Sequence, residues 1–419
     1  MKKIKENSIV RNTLSFGLAT ILSAALSFIV GVLTRNILGP EQYGFWLTVS
    51  MLFTFIPLFQ LGTVNAMNRE VPFYLARKDD LRVREIRNLT LSFIFTLPLF
   101  LVVILFVTSG LLFFIDISYE YQIGFLLASL ISFFTYLSVY VEMYYKSEQN
   151  FRVVSKLVLI KNVSQTLITL LFTYFIGYEG LYVGMLLALI IEVITGKESF
   201  RQFRLQFDLV KYKKLIKTGF PILFVGLIWS ILIACDRLII TILMTPKDLG
   251  NYGVGMLIFS SMMLLPQVVS QVLYPRIVEL VSKEKHDEIK KLYWKVNKIL
   301  AITVALIVIA GYFLFPIFID FFMPDYKDGI IAGQVLILGV YPLTLVGFAA
   351  NYFNTIGKQM IYIKILILVI ILNIIFSVCL LYINQNIISV AIGTSLSYLV
   401  YFILINYFFI KMLHNSRIL

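Results

Sequence analysis

Residues Leu38–Trp46 read LGPEQYGFW, and a looser version, LGNYGVG, occupies Leu249–Gly255. Tyr43-Gly44 and Tyr252-Gly253 stand 209 residues apart, half of the 419-residue chain. Each Tyr-Gly opens an apolar run and is followed, 14 residues on, by a proline, Pro57 or Pro266. Glutamines come next, Gln60 in the first half and Gln267 and Gln271 in the second. Proline removes a helix hydrogen bond and bends the axis, so the matched positions predict two similarly bent helices. The half-length offset predicts a six-plus-six duplication around them.

Outward from these motifs, the chain is a succession of apolar runs near the 20 or so residues that cross hydrocarbon as a helix. The first six fall at approximately 12–34, 43–66, 89–115, 122–144, 155–177 and 179–196. Six more fall at 218–244, 249–275, 298–322, 329–354, 360–382 and 387–410. The expected fold is therefore an all-α membrane protein of about twelve transmembrane helices in two six-helix lobes. The lobes are expected at 1–196 and 218–419, with a cytoplasmic or interfacial linker at 197–217. Within Leu205–Lys217, apolar Leu205, Leu209, Tyr212 and Ile216 recur at helical spacing beside Lys211, Lys214 and Lys217. An interfacial helix joining the halves fits that pattern, as does a solvated basic loop.

Composition agrees. Hydrophobic residues make up 59%, charged residues 14%, and mean hydropathy is +0.89. A soluble domain usually carries about 25% charged residues, so too few remain here to cover a water-facing surface. Apolar residues continue from Ser23-Ala24-Ala25 through Leu33, beyond the h-region of a cleaved signal peptide.

The net charge of +13 would suggest nucleic acid if it were clustered on one face. It sits instead in short connections, where Lys and Arg set topology. Of the 36 Lys and Arg, only Arg35, Arg237, Lys247 and Lys327 fall toward the opposite side. The positive-inside rule then places both termini in the cytoplasm. Nucleic acid is not an expected partner.

Cys235 and Cys379 lie in separate apolar runs, and His286 and His414 in polar flanks. Neither a disulfide, nor a metal site, nor thiol chemistry is predicted. No pore-loop filter interrupts the runs. The outward connections are short and hold no acid–base cluster, which argues against a polymerase or ligase.

Ionisable residues inside spans face a bundle interior or a cavity. Asp236-Arg237 lies roughly 27 Å along span seven at 1.5 Å per residue. Two roles are open to it: Arg237 meeting a substrate anion that Asp236 tunes, or an interlobe or extracellular-gate salt bridge. Lys161 and Glu192 have similar cytoplasmic depth on spans five and six, so a mutual ion pair is expected. Glu192 is also a candidate for coupling to H+ or Na+. Glu142 precedes Lys146 by four residues, a helix pair, and is a second candidate for ion coupling. Arg11 at the entrance of span one could attract diphosphate. Gln60, Asn65, Gln267 and Gln271 could bind sugar hydroxyls, although interhelical hydrogen bonding is their more common role.

The strings TRNILGPEQYGFW (34–46), CDRLIITILMTPKDLGNYGVG (235–255) and QVLYPRIVEL (271–280) resemble the polysaccharide-transport family of O-antigen and capsule flippases. MPDYKDG, FNTIGKQM and AIGTSLSYLVYFILI continue the resemblance to Ile405. That family belongs to the multidrug/oligosaccharidyl-lipid/polysaccharide exporter superfamily. The resemblance implies a MATE-like exporter fold and no cofactor. It also implies transport of undecaprenyl-diphosphate-linked oligosaccharide across the bacterial inner membrane, from cytoplasmic to outer leaflet by alternating access. A polysaccharide polymerase and a chain-length regulator are expected partners besides membrane lipid. A multidrug exporter of the same superfamily is the alternative. A flippase must shelter sugar and diphosphate while the lipid tail stays outside, which asks for a polar or cationic cavity open to the bilayer.

Overall fold

The computed structural model describes the backbone of Lys2–Asn415, and side chains for residues 25–414 other than Gln271. Among the described residues every regular element is helical. In the first half these are α1 (Lys2–Ser50), α2 (Leu52–Phe55), a 3-10 turn (Ile56–Gln60), α3 (Thr63–Ala76), α4 (Asp80–Ile94), α5 (Leu97–Leu112), α6 (Tyr119–Ser147), α7 (Phe151–Ile176) and α8 (Glu179–Thr195). A second 3-10 turn (Lys197–Phe200) leads to α9 (Leu209–Leu243), α10 (Pro246–Met262), α11 (Leu264–Ser282) and α12 (His286–Phe322). After a third turn (Pro324–Gly329) come α13 (Ile330–Thr344), α14 (Gly347–Thr355), α15 (Gln359–Ile383) and α16 (Ile387–Asn415).

Each of the twelve expected apolar runs is helical over most of its length. Nine helices among the described residues are long and apolar enough to cross a membrane, or ten if the bent pair of Pro324–Thr344 and Gly347–Thr355 is one span. The difference from twelve has two sources. Helix α8 has 17 residues, about 25 Å at 1.5 Å per residue. The first two expected spans count as one candidate, Ala25–Gln60, because α1 runs from one into the other through a kink at Gly39 (φ 71°), and the chain breaks again at the turn before Leu61 (φ 48°) and Gly62 (φ 80°). A positive φ suits glycine, which has no Cβ to clash.

Both even-numbered spans that carry the Tyr-Gly motif break just before the matched proline. Pro57 lies in the first turn of Ile56–Gln60, and Pro266 in the first turn of α11 after the break at Met263. There the missing N–H has no helical acceptor to lose. The carbonyl of Ile56, freed at the first break, accepts a 3.0 Å hydrogen bond from Tyr136 of α6.

The chain forms two compact units. The first comprises Met1–Leu38 and Val49–Leu227; the second comprises Gly39–Thr48 and Ile228–Leu419. Each unit is thus completed by a segment from the other half of the sequence. In the first unit the segment 197–208 is strapped to α4. The backbone amides of Arg204 and Gln206 donate to Asn88 Oδ1 (3.2 Å) and Ser92 Oγ (2.9 Å). The expected separate interfacial helix is absent: 201–208 is irregular, and residues 209–217 are the opening turns of α9 itself. Asp208 caps them, accepting from the amides of Val210 and Lys211 at 3.0 Å each. Of the anticipated apolar stripe, Tyr212 is buried against Phe93, while Leu205 and Leu209 are exposed.

Small residues dock the exchanged segments. In the first unit Gly219 of α9 crosses Gly62 so closely that a methyl at Gly219 would lie 1.8 Å from the Gly62 carbonyl oxygen. In the second unit the contact is reciprocal. A methyl at Gly44 would lie 1.7 Å from the Pro246 carbonyl oxygen, and one at Gly250 would lie 1.7 Å from that of Pro40. Helix association within lipid relies on such close backbone approach. The two Tyr-Gly motifs are therefore the two faces of one crossing.

Candidate functional site

Two buried charged clusters stand out, one in each unit. In the first, α6, α7 and α8 each contribute to a cluster around Lys161. Its Nζ lies 3.3 Å from Glu192 Oε2, in direct contact with Glu142 Oε1, and 3.5 Å from Ser138 Oγ. Ser138 also donates to Glu192. Glu192 is fully buried, and its second oxygen, Oε1, has no hydrogen-bond partner.

The ion pair expected between Lys161 and Glu192 is present. The expected pairing of Glu142 with Lys146 is not. Glu142 turns to Lys161 on the neighbouring helix, and Lys146 is exposed. The reason is electrostatic. A lysine held within the helices needs a counter-charge more than one in water does, and two carboxylates converge on this one. The cluster carries two acidic groups for one base, and Ser138 supplies a hydroxyl at its centre.

In the second unit Asp236 is fully buried on α9. Its short partners are the Tyr252 hydroxyl of α10, which donates at 2.6 Å, and the backbone amide of Arg237 at 2.7 Å. The Arg237 side chain is turned away. Its Nε stands 3.9 Å from Asp236, while Nη2 donates to the Ile233 carbonyl at 3.2 Å. Arg237 keeps about a quarter of its side-chain surface (26%) exposed, while its Nε is buried without a hydrogen-bond partner. The tight salt bridge that adjacency suggests is thus a loose one, because neighbours on a helix project in different directions.

The sequence reading missed Tyr252 as a polar partner. The Tyr-Gly motif gave its position but marked it only as a helix opening. Tyr398 and Thr394 of α16 lie in the same buried electrostatic neighbourhood. Asn373 of α15 is buried and accepts from Ser377 at 3.2 Å.

The amide candidates do not converge on either cluster. Gln60 is buried at the end of its 3-10 turn, with Nε2 unpartnered. Asn65 is half-buried on α3, and Gln267 is exposed on α11. Arg11 and Gln271 lie outside the residues whose side chains are described. Among the described residues no group of three or more His, Cys, Asp or Glu could hold a metal ion. Cys235 is buried and Cys379 exposed, both free.

Solved structures share this fold. The chain is similar to the lipid II flippase MurJ in an inward closed conformation, with 18% identity and a TM-score of 0.73, over 97% of this chain and 91% of that one. It is similar to an inward-facing multidrug resistance transporter of the MATE family and MOP superfamily, with 13% identity and a TM-score of 0.74, over 94% and 95%. It is also similar to the Vibrio cholerae MATE transporter VcmN in its bent form, with 12% identity and a TM-score of 0.60, over 97% and 99%. At such identities the likeness is one of fold. No curated protein sequence matches the chain. The model of the polysaccharide biosynthesis proteins matches residues 9–281, well over half of the chain. With that match and this multi-pass helical fold, the chain belongs to the polysaccharide biosynthesis protein family.

Proposed function

We propose that the protein flips undecaprenyl-diphosphate-linked oligosaccharide repeat units from the cytoplasmic to the outer leaflet, by alternating access, for O-antigen or capsule synthesis. The family match carries this reading, because it joins polysaccharide synthesis to a fold whose solved examples include a lipid II flippase. Buried charge in both units supports it. A lipid-linked diphosphate can cross hydrocarbon only along ionised or polar side chains, and Arg237 offers a permanently charged, partly exposed side chain. Glu142, Glu192 and Asp236 are the carboxylates proposed to couple transport to H+ or Na+.

The proposed site of action is the bacterial inner membrane, with both termini cytoplasmic. There a polysaccharide polymerase and a chain-length regulator would receive the product. The likeness to MATE transporters supports a second reading, export of small drugs. Deleting the gene and extracting lipids tests both. Accumulation of undecaprenyl-linked repeat units on the cytoplasmic side is expected. Normal polysaccharide export with raised drug sensitivity would overturn the flippase reading in favour of the second.

A further inference from the structure

The basic tip of the α11–α12 hairpin, within the second unit, holds a cleft that neither charged cluster explains. It has a volume of about 220 Å³ and is lined by Arg276, Leu280, Glu288, Lys291, Leu292 and Lys295. That is roughly seven times the ~30 Å³ share of one water. Arg276 is held in place by Glu279 (2.7 Å) and Glu288 (3.6 Å), and Glu288 is also engaged by Lys285 at 2.5 Å. No ion pair among the described residues engages Lys291 or Lys295. They stand four residues apart on one face of α12, a spacing at which like charges repel. The cleft therefore presents three cations to one carboxylate whose charge is already shared.

Its depth identifies the anion. Helix α12 runs 37 residues, His286–Phe322, far more than the 20 or so needed to span hydrocarbon. Its uninterrupted apolar run begins at Ile299, so Lys295 sits about 6 Å and Lys291 about 12 Å beyond that point at 1.5 Å per residue. Trp294, between them in sequence, is 56% exposed, as suits an aromatic at the membrane–water interface. Lipid phosphates lie at this level, and Leu280 and Leu292 give the cleft an apolar side that a fully hydrated anion would not require.

We propose that this cleft binds the phosphate headgroup of an anionic membrane phospholipid, with Arg276, Lys291 and Lys295 as its ligands. The full-length protein, stripped of lipid in detergent, should be titrated with phosphatidylglycerol and phosphatidylcholine and read by native mass spectrometry. Saturable retention of phosphatidylglycerol over phosphatidylcholine is expected. Lys291→Gln with Lys295→Gln should weaken it roughly tenfold or more, as loss of charge-assisted hydrogen bonds implies. Lys290→Gln with Lys298→Gln removes equal charge from the same end of α12 without touching the cleft, and should weaken it less than about threefold. Equal losses in the two double variants would show diffuse attraction and overturn the site. Displacement of the lipid by millimolar inorganic phosphate would assign the cleft to a soluble anion instead. Preferential displacement by an undecaprenyl-diphosphate sugar would assign it to the transported lipid, and would also overturn the phospholipid assignment. The retention, double-variant and inorganic-phosphate readouts are independent of which substrate the protein carries.

Discussion

A hydroxyl governs Asp236 more tightly than the neighbouring guanidinium does, and this changes what substitutions at α9 should do. Tyr252→Phe removes the 2.6 Å donor to a fully buried carboxylate. It should cost about 2 kcal/mol of stability, the range for a hydrogen bond to a charged group, measured as thermal unfolding in detergent. An unchanged melting temperature would show that another group replaces the hydroxyl. Arg237→Ala should keep the fold while repeat-unit export falls at least about tenfold, as removal of a substrate-contacting charge does. Arg237→Lys should recover only part, because lysine lacks the planar fork that grips a diphosphate. Full export by Arg237→Ala would leave Arg237 as a topology residue. In the first unit, Lys161→Met should strand the buried Glu192 and the partly exposed Glu142, at about 3–5 kcal/mol for a broken buried pair. Adding Glu192→Gln should return much of that loss, a non-additivity that a double-mutant cycle reads directly. The Lys161–Glu192 pair was legible in the sequence because depth along antiparallel spans can be counted. The turn of Glu142 to Lys161 was not, since residue spacing within a helix says nothing of the charge offered by the next one.

Among the elements, the glycine crossings lend themselves to experiment. Gly44→Ala or Gly250→Ala would press a methyl to within 1.7 Å of a backbone carbonyl. Neither backbone can yield as a side-chain end would, so each change should cost at least the ~1–3 kcal/mol typical of overpacking. Gly226→Ala, where an added methyl meets nothing within 4 Å, is the control and should be silent in the same thermal assay. At the start of α9, the amides of Lys211 and Val210 hold the Asp208 carboxyl below its ordinary range. A depressed carboxylate stabilises above its unfolded pKa, and that contribution is lost as pH falls through the lower folded value. Protection of the amides at 209–212, taken relative to their intrinsic exchange rates, should therefore fall below about pH 4 and should already be low in Asp208→Ala at neutral pH. Helix content and the positions of the apolar runs were readable because apolar length alone determines them. The joining of the first two spans and the break inside the second were not, because Gly39 and Gly62 look like ordinary membrane-helix glycines until their φ angles are known. The stripe ending in Ile216 was read as an interfacial helix or a basic loop because periodicity does not show that α9 continues through Pro221.

For the whole molecule, the proposed orientation predicts that cysteines placed at 247 and 327 label from outside intact cells, and those at 82 and 285 only after permeabilisation. External labelling at 285 would reverse the map. The matched Tyr-Gly and proline positions were readable in the sequence, but the exchange of segments between compact units was not, since no composition shift marks residues 38, 49 or 227. That exchange bears on synthesis. Gly62 emerges from the ribosome 157 residues before Gly219, the glycine it packs against. At roughly 5–20 residues per second that is a wait of about 8–30 seconds. During that interval the first unit lacks its closing helix and leaves Phe93 and its neighbours without Tyr212. A nascent chain arrested at 208 should therefore be cut readily near Gly62 by a membrane-associated protease, and one arrested past 227 should resist. The N-terminal half, though translated first, is finished only when translation has passed the midpoint of the chain.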